Sequence, residues 1–353
     1  TAGRLQRNWP LLQIFALVAL FVFGMATIEG FTQGYSIRSM LILASLLALA
    51  ALGQTLCFLI GSLDLSIPGM IVLGATLISE LCGVHGWSLL PALAVIVAVT
   101  TAMGAFTGWV CDRFEVPSIV VSLGVGTIAL GAGTVWTGAR LVGSPPELIR
   151  EISSGTSTTF GIGLPPIIFI WLAIAIAMAV FLHRTPAGRR LYATGANPRA
   201  AKLALIRTRR VWVGVFAFSA LMSGIVGVLL AGFAGADPGI GNPYLFQGLT
   251  AVIVGGTAWA GSRGDYSHTV LGALILTTPA GRVLHTGDWK LDPRPVGGKP
   301  TDEARLRALG ADGVPTALIC DSTNALKEGT SPSEDDVAET LEKLIAEAPH
   351  RVV

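Results

Sequence analysis

The stretch MLILASLLALAALGQTLCFLI, from Met40 to Ile60, contains no charged residue and decides the class of fold. A helix rises about 1.5 Å per residue and the hydrocarbon core of a bilayer is roughly 30 Å thick, so about 20 apolar residues are needed to cross it. We therefore predict that this stretch forms a transmembrane helix. The whole chain is 52% hydrophobic and only 13% charged, whereas soluble domains contain about 25% charged residues. This composition excludes an ordinary soluble protein.

Eight further apolar segments are candidates for membrane helices. They are Leu11–Ile28, Ile67–Leu81, Leu89–Val110, Ser118–Trp136, Pro166–Leu182, Val211–Phe233, Phe246–Ala260 and Thr269–Thr277. Of these, Ile67–Leu81 and Phe246–Ala260 are short for a complete span. Small residues are frequent within the segments, which allows membrane helices to approach one another closely. The pattern predicts an all-α polytopic membrane protein with about eight transmembrane helices.

The distribution of basic residues predicts the orientation of these helices. Residues 184–210 contain eight basic residues and no acidic residue, and short loops of this kind stay on the cytoplasmic side. We therefore expect this segment, together with Arg4 and Arg7 of the N-terminal region, to be cytoplasmic. Residues 140–164 are mixed in charge and rich in Gly, Ser, Thr and Pro, and we expect an outward-facing loop there.

The composition changes abruptly near Leu276–Pro279. Residues 1–278 carry a net charge of +6 from 24 charged residues, whereas residues 279–353 carry −4 from 22. The second part has the sequence pattern of a soluble α/β protein. We expect strands at Arg282–His285 and Thr316–Cys320, and helices at Asp302–Leu309 and Ser333–Ala348, the latter with Ser333 as N-cap. The prediction is a membrane domain at residues 1–277 and a partial α/β fragment at residues 278–353.

The most informative polar motif runs from Gly53 to Ser66, where Asp64 is an ionisable residue in an otherwise apolar stretch. A charge at membrane depth is energetically costly and faces a cavity, a partner or a helix N-terminus. The run from Asp64 to Pro68 fits a helix N-cap followed by a proline just inside a new helix. Two interpretations stay open, a structural cap between two broken helices and direct contact with a substrate. Gln54, Asp64 and Ser66 are the candidate residues for either role.

Two further motifs contain glycine at turns between apolar segments. The first is a Gly-Asn-Pro turn in the basic segment, and we expect a short helix to begin after Asn197. The second is a glycine-dense break between two apolar runs, from Val254 to Asp265, which lacks the GK[ST] sequence of a phosphate-binding loop. The candidate residues of the two motifs are Gly195, Asn197, Pro198, Ala200, Ala201 and Leu203, and Gly255, Gly256, Gly261 and Gly264.

In order and spacing, the three motifs together resemble the permease subunit of ribose-type sugar ABC importers, over about residues 10–277. The resemblance implies a multi-pass subunit of the bacterial inner membrane that is not itself catalytic and has no intrinsic cofactor. It implies a second permease subunit, ABC ATPase subunits that use ATP, and a periplasmic or extracellular sugar-binding protein as partners, with no role for nucleic acid. The segment from Gly195 to Leu203 resembles the coupling helix that docks on the ATPase. Such permeases have further membrane helices after the position of Leu276, so we expect truncation to impair folding and transport.

The segment after the junction carries a different set of motifs. HTGDWKLDP at His285–Pro293 is followed by CDSTNA at Cys320–Ala325 and by GTSPSE at Gly329–Glu334. Together they resemble the ribonuclease J-like branch of the metallo-β-lactamase fold hydrolases. The resemblance implies that Asp288 matches a carboxylate that bridges two zinc ions, which activate water for attack on a phosphodiester. The five histidines supply no HxHxDH motif, so we expect zinc only in a complete domain and no hydrolase activity here.

Three interpretations of the whole chain follow from these motifs. The first is a sugar-type ABC permease joined to an internal piece of a metallo-hydrolase, either as a natural fusion or as an artefact. The second is a ribonuclease J-like hydrolase with a membrane anchor, which the missing HxHxDH motif argues against. The third is a membrane receptor or scaffold with an interaction tail. No motif in the sequence supports this third interpretation. We favour the first.

Overall fold

The computed structural model describes residues 10–28, 30–138, 143–259 and 261–278, the backbone of residues 282–285 and 316–319, and residues 336, 339, 340 and 343. The chain divides into two compact units, Thr1–Thr278 and Pro279–Val353. The division falls where the density of charged residues changes.

The described residues of the first unit form helices joined by short loops. The helices are α1 (Leu11–Thr27), α2 (Gly34–Leu59), α3 (Ile67–Ile78), α4 (Leu89–Phe114), α5 (Ser118–Thr137), α6 (Glu147–Ser153), α7 (Pro166–Arg184), α8 (Pro186–Ala196), α9 (Pro198–Leu203), α10 (Thr208–Ala234), α11 (Asn242–Gly255) and α12 (Tyr266–Thr277). A π-helical turn at Ser79–Val84 continues α3.

Six of the described helices are long and apolar enough to cross a membrane, namely α2, α3 with its π-helical turn, α4, α5, α7 and α10. α1 and α12 are apolar but shorter, with 17 and 12 residues. These helices confirm the predicted all-α polytopic membrane protein. The expectation that Ile67–Leu81 is short for a span is wrong, because the π-helical turn extends that helix to 18 residues. Within the segment expected as an outward-facing loop, the structure contains the short helix α6.

α10 lies at the centre of the first unit and packs against α4, α3 and α2. Of the apolar part of α2, 89% is buried within the protein, against only 22% for α4. α2 is therefore an inner helix, whereas much of α4 presents apolar side chains to the surroundings. Glycines allow the backbones to touch. A Cβ atom placed on Gly227 of α10 would lie only 2.0 Å from the carbonyl oxygen of Ile71 on α3.

The described part of the second unit includes two strands, β1 (Arg282–His285) and β2 (Thr316–Ile319), which pair in parallel with Arg282 opposite Thr316. Both strands were predicted, although the second ends one residue before Cys320. Residues 336, 339, 340 and 343 include helical positions of the predicted helix Ser333–Ala348. Its predicted N-cap Ser333 and the predicted helix Asp302–Leu309 lie outside the described residues.

The glycine contacts predict opposite effects of one substitution at two sites. Gly227→Ala should lower the free energy of unfolding by about 1–3 kcal/mol, because its Cβ would overlap the backbone of α3. Gly124 of α5 has no atom within 4 Å of an added Cβ, so Gly124→Ala should be neutral or stabilising by up to about 1 kcal/mol through helix propensity. Thermal unfolding in detergent measures both effects. Equal midpoints for the two variants would contradict the close approach of α10 and α3.

Candidate functional site

The site begins with an interruption of the helical backbone inside the bundle. α2 ends at Leu59 and α3 begins at Ile67, and most residues between them are buried. Backbone N–H groups of a broken helix have no water to bind at membrane depth and must find partners within the protein. The interruption is called the helix break below and comprises residues 60–66.

Two serines of α5 bind one side of the helix break. The backbone N–H of Leu63 donates to Oγ of Ser118 at 3.2 Å, and that of Leu65 donates to Oγ of Ser122 at 2.9 Å. The two serines lie four residues apart and so share one face of their helix. α5 therefore supplies acceptors to alternate residues of the extended segment.

Side chains of the predicted motif satisfy the intervening N–H groups. Oε1 of Gln54 accepts the backbone N–H of Asp64 at 3.3 Å, and Oδ1 of Asp64 accepts that of Ser66 at 2.8 Å. The structure thus brings together all three candidate residues of the first motif, each about 1% exposed.

The Asp64 carboxylate joins the helix break to α10. Its Oδ1 also accepts the hydroxyl of Ser66 at 2.6 Å, and its Oδ2 accepts the hydroxyl of Ser219, on α10, at 2.6 Å. Within the described residues no cation forms an ion pair with this carboxylate. Its partners are hydroxyl and amide donors instead.

The N-cap of α3 lies within the predicted run from Asp64 to Pro68. α3 begins at Ile67 with Pro68 in its first turn, as expected, and its N-cap is Ser66, whose side chain makes no capping bond. Asp64 acts from two residues before the cap by binding the N–H and the hydroxyl of Ser66. These contacts agree with the interpretation of Asp64 as a structural link. Direct contact with a substrate stays a prediction.

Glycines bring the neighbouring helices close enough for these bonds. A Cβ on Gly53 would lie 2.3 Å from Oγ and 2.5 Å from Cα of Ser219, and a Cβ on Gly126 would lie 2.8 Å from Cα of Ser66. Any larger residue at Gly53 would push away the helix that carries Ser219. Gly53 is therefore as necessary to the polar contacts as the polar groups are.

The basic segment folds as predicted after Asn197 but is more helical than expected. Oδ1 of Asn197 caps α9 by accepting the N–H groups of Arg199 and Ala200, both at 3.0 Å, and Pro198 is the first helical residue. Ala201 is buried, whereas Leu203 is 85% exposed. Gly195 lies within the additional helix α8.

The glycine-dense motif forms a break between α11 and α12. Gly255 ends α11, and Gly256, Gly261 and Gly264 all have positive φ angles of 95°, 84° and 127°, which favour glycine. Asp265 caps α12 by accepting the N–H of Ser267 at 2.8 Å.

Tyr192 ties the glycine-dense break to α8. Its hydroxyl donates to the carbonyl of Gly264 at 2.8 Å. Burial, with a smaller contribution from the Asp265 carboxylate, raises the pKa of Tyr192 to about 12. The hydroxyl therefore remains a donor at neutral pH.

The three predicted motifs meet at the end of α2. The carbonyl of Leu59 accepts the N–H of Ser262 at 2.9 Å, and a Cβ on Gly195 would lie 1.8 Å from that carbonyl oxygen. A Cβ on Gly261 would lie 2.7 Å from the carbonyl oxygen of Gly195. Leu59 immediately precedes the helix break, so both glycine motifs touch the backbone that leads to Asp64.

Sequence reasoning did not single out Ser118, Ser122 or Ser219. The spacing of the two α5 serines at the start of an apolar helix was an available signal, whereas Ser219 is one small polar residue among many. No group of His, Cys, Asp and Glu residues that could hold a metal ion occurs in the part of the chain that the structure describes. Asp288 lies outside that part.

Comparison with known proteins identifies the family. Residues 36–280 match the family described as "Branched-chain amino acid transport system / permease component", which covers more than half of the chain. The chain belongs to this permease family. No solved structure matches it.

Relatives of the permease part match most of this chain at low identity. The chain is 28% identical over 234 residues to the ribose import permease protein RbsC of Escherichia coli K12, covering 65% of this chain and 71% of that protein. It is 29% identical over 289 residues to RbsC of Bacillus subtilis, covering 78% and 84%. It is 28% identical over 279 residues to the fructose import permease protein FrcC of Rhizobium meliloti, covering 74% of each. These similarities confirm the predicted resemblance of the membrane part.

A different relative matches a shorter stretch of the chain at higher identity. Ribonuclease J of Sinorhizobium meliloti is 58% identical over 80 residues, which are 23% of this chain but only 14% of that protein. The predicted resemblance of a joined segment to ribonuclease J is therefore confirmed.

The contacts of Asp64 predict the relative importance of two serines on α10. Ser219→Ala should lower the free energy of unfolding by about 1.5–3 kcal/mol, because it removes a donor to a buried carboxylate. Ser223 is equally buried but donates only to the carbonyl of Ser219 on its own helix, so Ser223→Ala should lose about 0.5–1.5 kcal/mol. Unfolding in detergent compares the two variants. A larger loss for Ser223→Ala would contradict the assigned role of Ser219.

Proposed function

We propose that the permease part is the membrane subunit of an ATP-driven importer for a sugar or a similar small polar solute. The observation that carries this proposal is the contact between the basic segment and the helix break, in a chain of the permease family. The proposed protein is a multi-pass subunit of the bacterial inner membrane. It is not catalytic, has no intrinsic cofactor and does not bind nucleic acid.

The basic segment is proposed as the site that couples transport to ATP hydrolysis. α9 exposes Leu203, and Leu205 just after it is 90% exposed. Two exposed leucines among arginine and lysine residues are typical of a docking surface for another protein, since interfaces combine an apolar centre with a polar rim. An ATPase subunit that binds ATP would dock here, and Gly195 would pass its movement to Leu59 through direct backbone contact.

The helix break is proposed as part of the translocation path. The Asp64 carboxylate accepts hydroxyl groups from Ser66 and Ser219, and hydroxyl groups are also what a sugar presents. Opening the break would exchange these internal hydroxyls for those of the solute, with Gln54 as a further polar contact. The relatives include ribose, fructose and autoinducer 2 import permeases, which supports a small polar solute.

The remaining proposed partners follow from this role. A second permease subunit would complete the membrane domain, and a periplasmic or extracellular sugar-binding protein would deliver the solute. The positive-inside rule supports a cytoplasmic position for residues 184–210. The lipid bilayer surrounds the exposed apolar faces.

The alternative function is that of a ribonuclease J-like hydrolase. The 58% identity over 80 residues favours it, and the parallel strands β1 and β2 agree with a partial α/β fragment of a metallo-β-lactamase fold at residues 278–353. The sequence contains no HxHxDH motif, however, and Asp288 alone supplies too few ligands for a dinuclear zinc site. We therefore propose that this fragment has no hydrolase activity.

The transport proposal predicts that a substitution in α9 reduces ATP-driven uptake without destabilising the protein. Reconstituted with its ATPase and binding protein in vesicles, the chain should take up a labelled sugar only when ATP is supplied. Leu203→Ser should weaken binding of the ATPase and reduce uptake by on the order of tenfold, because a central apolar contact of an interface is lost. The thermal midpoint should not change.

Leu148→Ser is the matched control. Leu148 is 53% exposed on α6, whose residue Ile149 contacts Gly232 near the far end of α10. Measured along the axis of α10, Leu148 therefore lies about 36 Å from the basic segment. Equal loss of uptake in both variants would contradict the assignment of α9 as the docking site, and uptake without ATP would contradict the importer.

The proposal for residues 278–353 predicts a low zinc content. The purified full chain should contain much less than one zinc ion per molecule after dialysis, and Asp288→Ala should not change that content. Elemental mass spectrometry measures the zinc content of both proteins. A content near two zinc ions that falls in the Asp288→Ala variant would support the hydrolase instead.

A further inference from the structure

A large groove opens between α7, α8 and α10, at the end of the bundle that carries the basic segment. Its volume is about 1010 Å³, at the upper limit of the roughly 300–1,000 Å³ usual for small-molecule sites. Ile174, Met178 and Phe181 of α7 form one wall. They follow helical spacing and so lie on one face of that helix.

The opposite wall belongs to α10. Val211, Val215, Phe218 and Met222 line it, again at helical spacing. From Val211 to Met222 the wall extends about 16 Å along the helix. One leaflet of the hydrocarbon core is about 15 Å deep. The apolar part of the groove therefore has the depth of a single leaflet.

Three arginines line the groove together with these apolar walls. Arg190 comes from α8, Arg207 from the segment before α10 and Arg210 from the first turn of α10. In the described part of the chain none of them forms an ion pair, and no acidic residue is among those that line the groove. Arg207 and Arg210 precede the apolar wall of α10, so the positive charge lies at one end of that wall.

We propose that this groove, called the arginine groove, binds one anionic phospholipid of the cytoplasmic leaflet. The phosphate would bind the three guanidinium groups, and an acyl chain would lie between α7 and α10. Basic pockets between membrane helices on the cytoplasmic side are suited to anionic head groups. A sugar would leave its hydroxyls unpaired against the apolar walls. A soluble anion would bind the arginines without contacting the apolar walls. The cytoplasmic position rests on the orientation under the proposed function.

Gly214 offers a way to block the groove without removing charge. It lines the groove on α10, and a Cβ added there would meet no atom within 4 Å. Gly214→Leu would place a side chain into the space proposed for the acyl chain. Gly124→Leu makes the same change at an equally open position on α5, outside the groove.

The experiment is native mass spectrometry of the purified full chain titrated with phosphatidylglycerol or phosphatidylcholine. We expect one phosphatidylglycerol to bind at least tenfold more tightly than phosphatidylcholine. Gly214→Leu should weaken this binding by about tenfold or more, and Gly124→Leu should not. Replacing Arg190, Arg207 and Arg210 with Gln should weaken it by roughly fivefold per arginine, and glycerophosphoglycerol, the head group without chains, should not compete.

Several results would overturn the proposal. Equal binding of both lipids, or unchanged binding in Gly214→Leu and in the arginine variants, would show that the groove is not the site. Competition by glycerophosphoglycerol would indicate a simple anion site, and loss of a dimer in Gly214→Leu would indicate a second copy of the chain as occupant.

A second measurement tests the unaltered protein in case a variant does not fold. Phosphatidylglycerol with a photoreactive acyl chain should label peptides of α7 and α10 that line the arginine groove. Labelling confined to other helices would overturn the proposal. Neither measurement requires the transport partners, so both are independent of the importer assay.

Discussion

Within a membrane domain, an interrupted helix must replace every lost backbone hydrogen bond from the protein itself. The segment between α2 and α3 does so with four consecutive N–H groups, from Leu63 to Ser66, each bound by a side-chain oxygen. The acceptors come from α2, α5 and the break itself, and Asp64 adds α10 through Ser219. The positions of these helices are thus coupled to one another, because moving any of them leaves a buried donor unpaired.

Glycine makes this arrangement possible, since polar groups this short bind only when backbones nearly touch. Gly53 admits Ser219, and Gly195 allows α8 to rest on the carbonyl of Leu59, one residue before the break. Contacts between backbones transmit displacement more directly than contacts between flexible side chains. Under the proposed docking of an ATPase at α9, a displacement would reach the helix break through the contact between Gly195 and Leu59.

The six candidate membrane helices could be predicted because each is a long apolar run, whereas the short polar helices α6 and α8 could not. The break could be predicted because Asp64 and Pro68 interrupt an apolar run. The side chains that form hydrogen bonds with the helix break could not be predicted. Ser118 lies 55 residues from Leu63, and Ser219 lies 155 residues from Asp64, and no local pattern indicates which serine meets which amide. The π-helical turn at Ser79–Val84 carries no periodic signal either, since a single extra residue per turn is a local deviation within an apolar helix.

The two similarities of this chain differ in strength and in extent, and extent matters more for function. The 58% identity to ribonuclease J extends over 80 residues, which are only 14% of that protein. The permease similarity is near 28% but covers 65–78% of the chain. The family match at residues 36–280 includes α3, α5, α10 and nearly all of α2, which together hold the helix break. The hydrogen bonds around Asp64 therefore lie entirely within the part of the chain that matches the permease family.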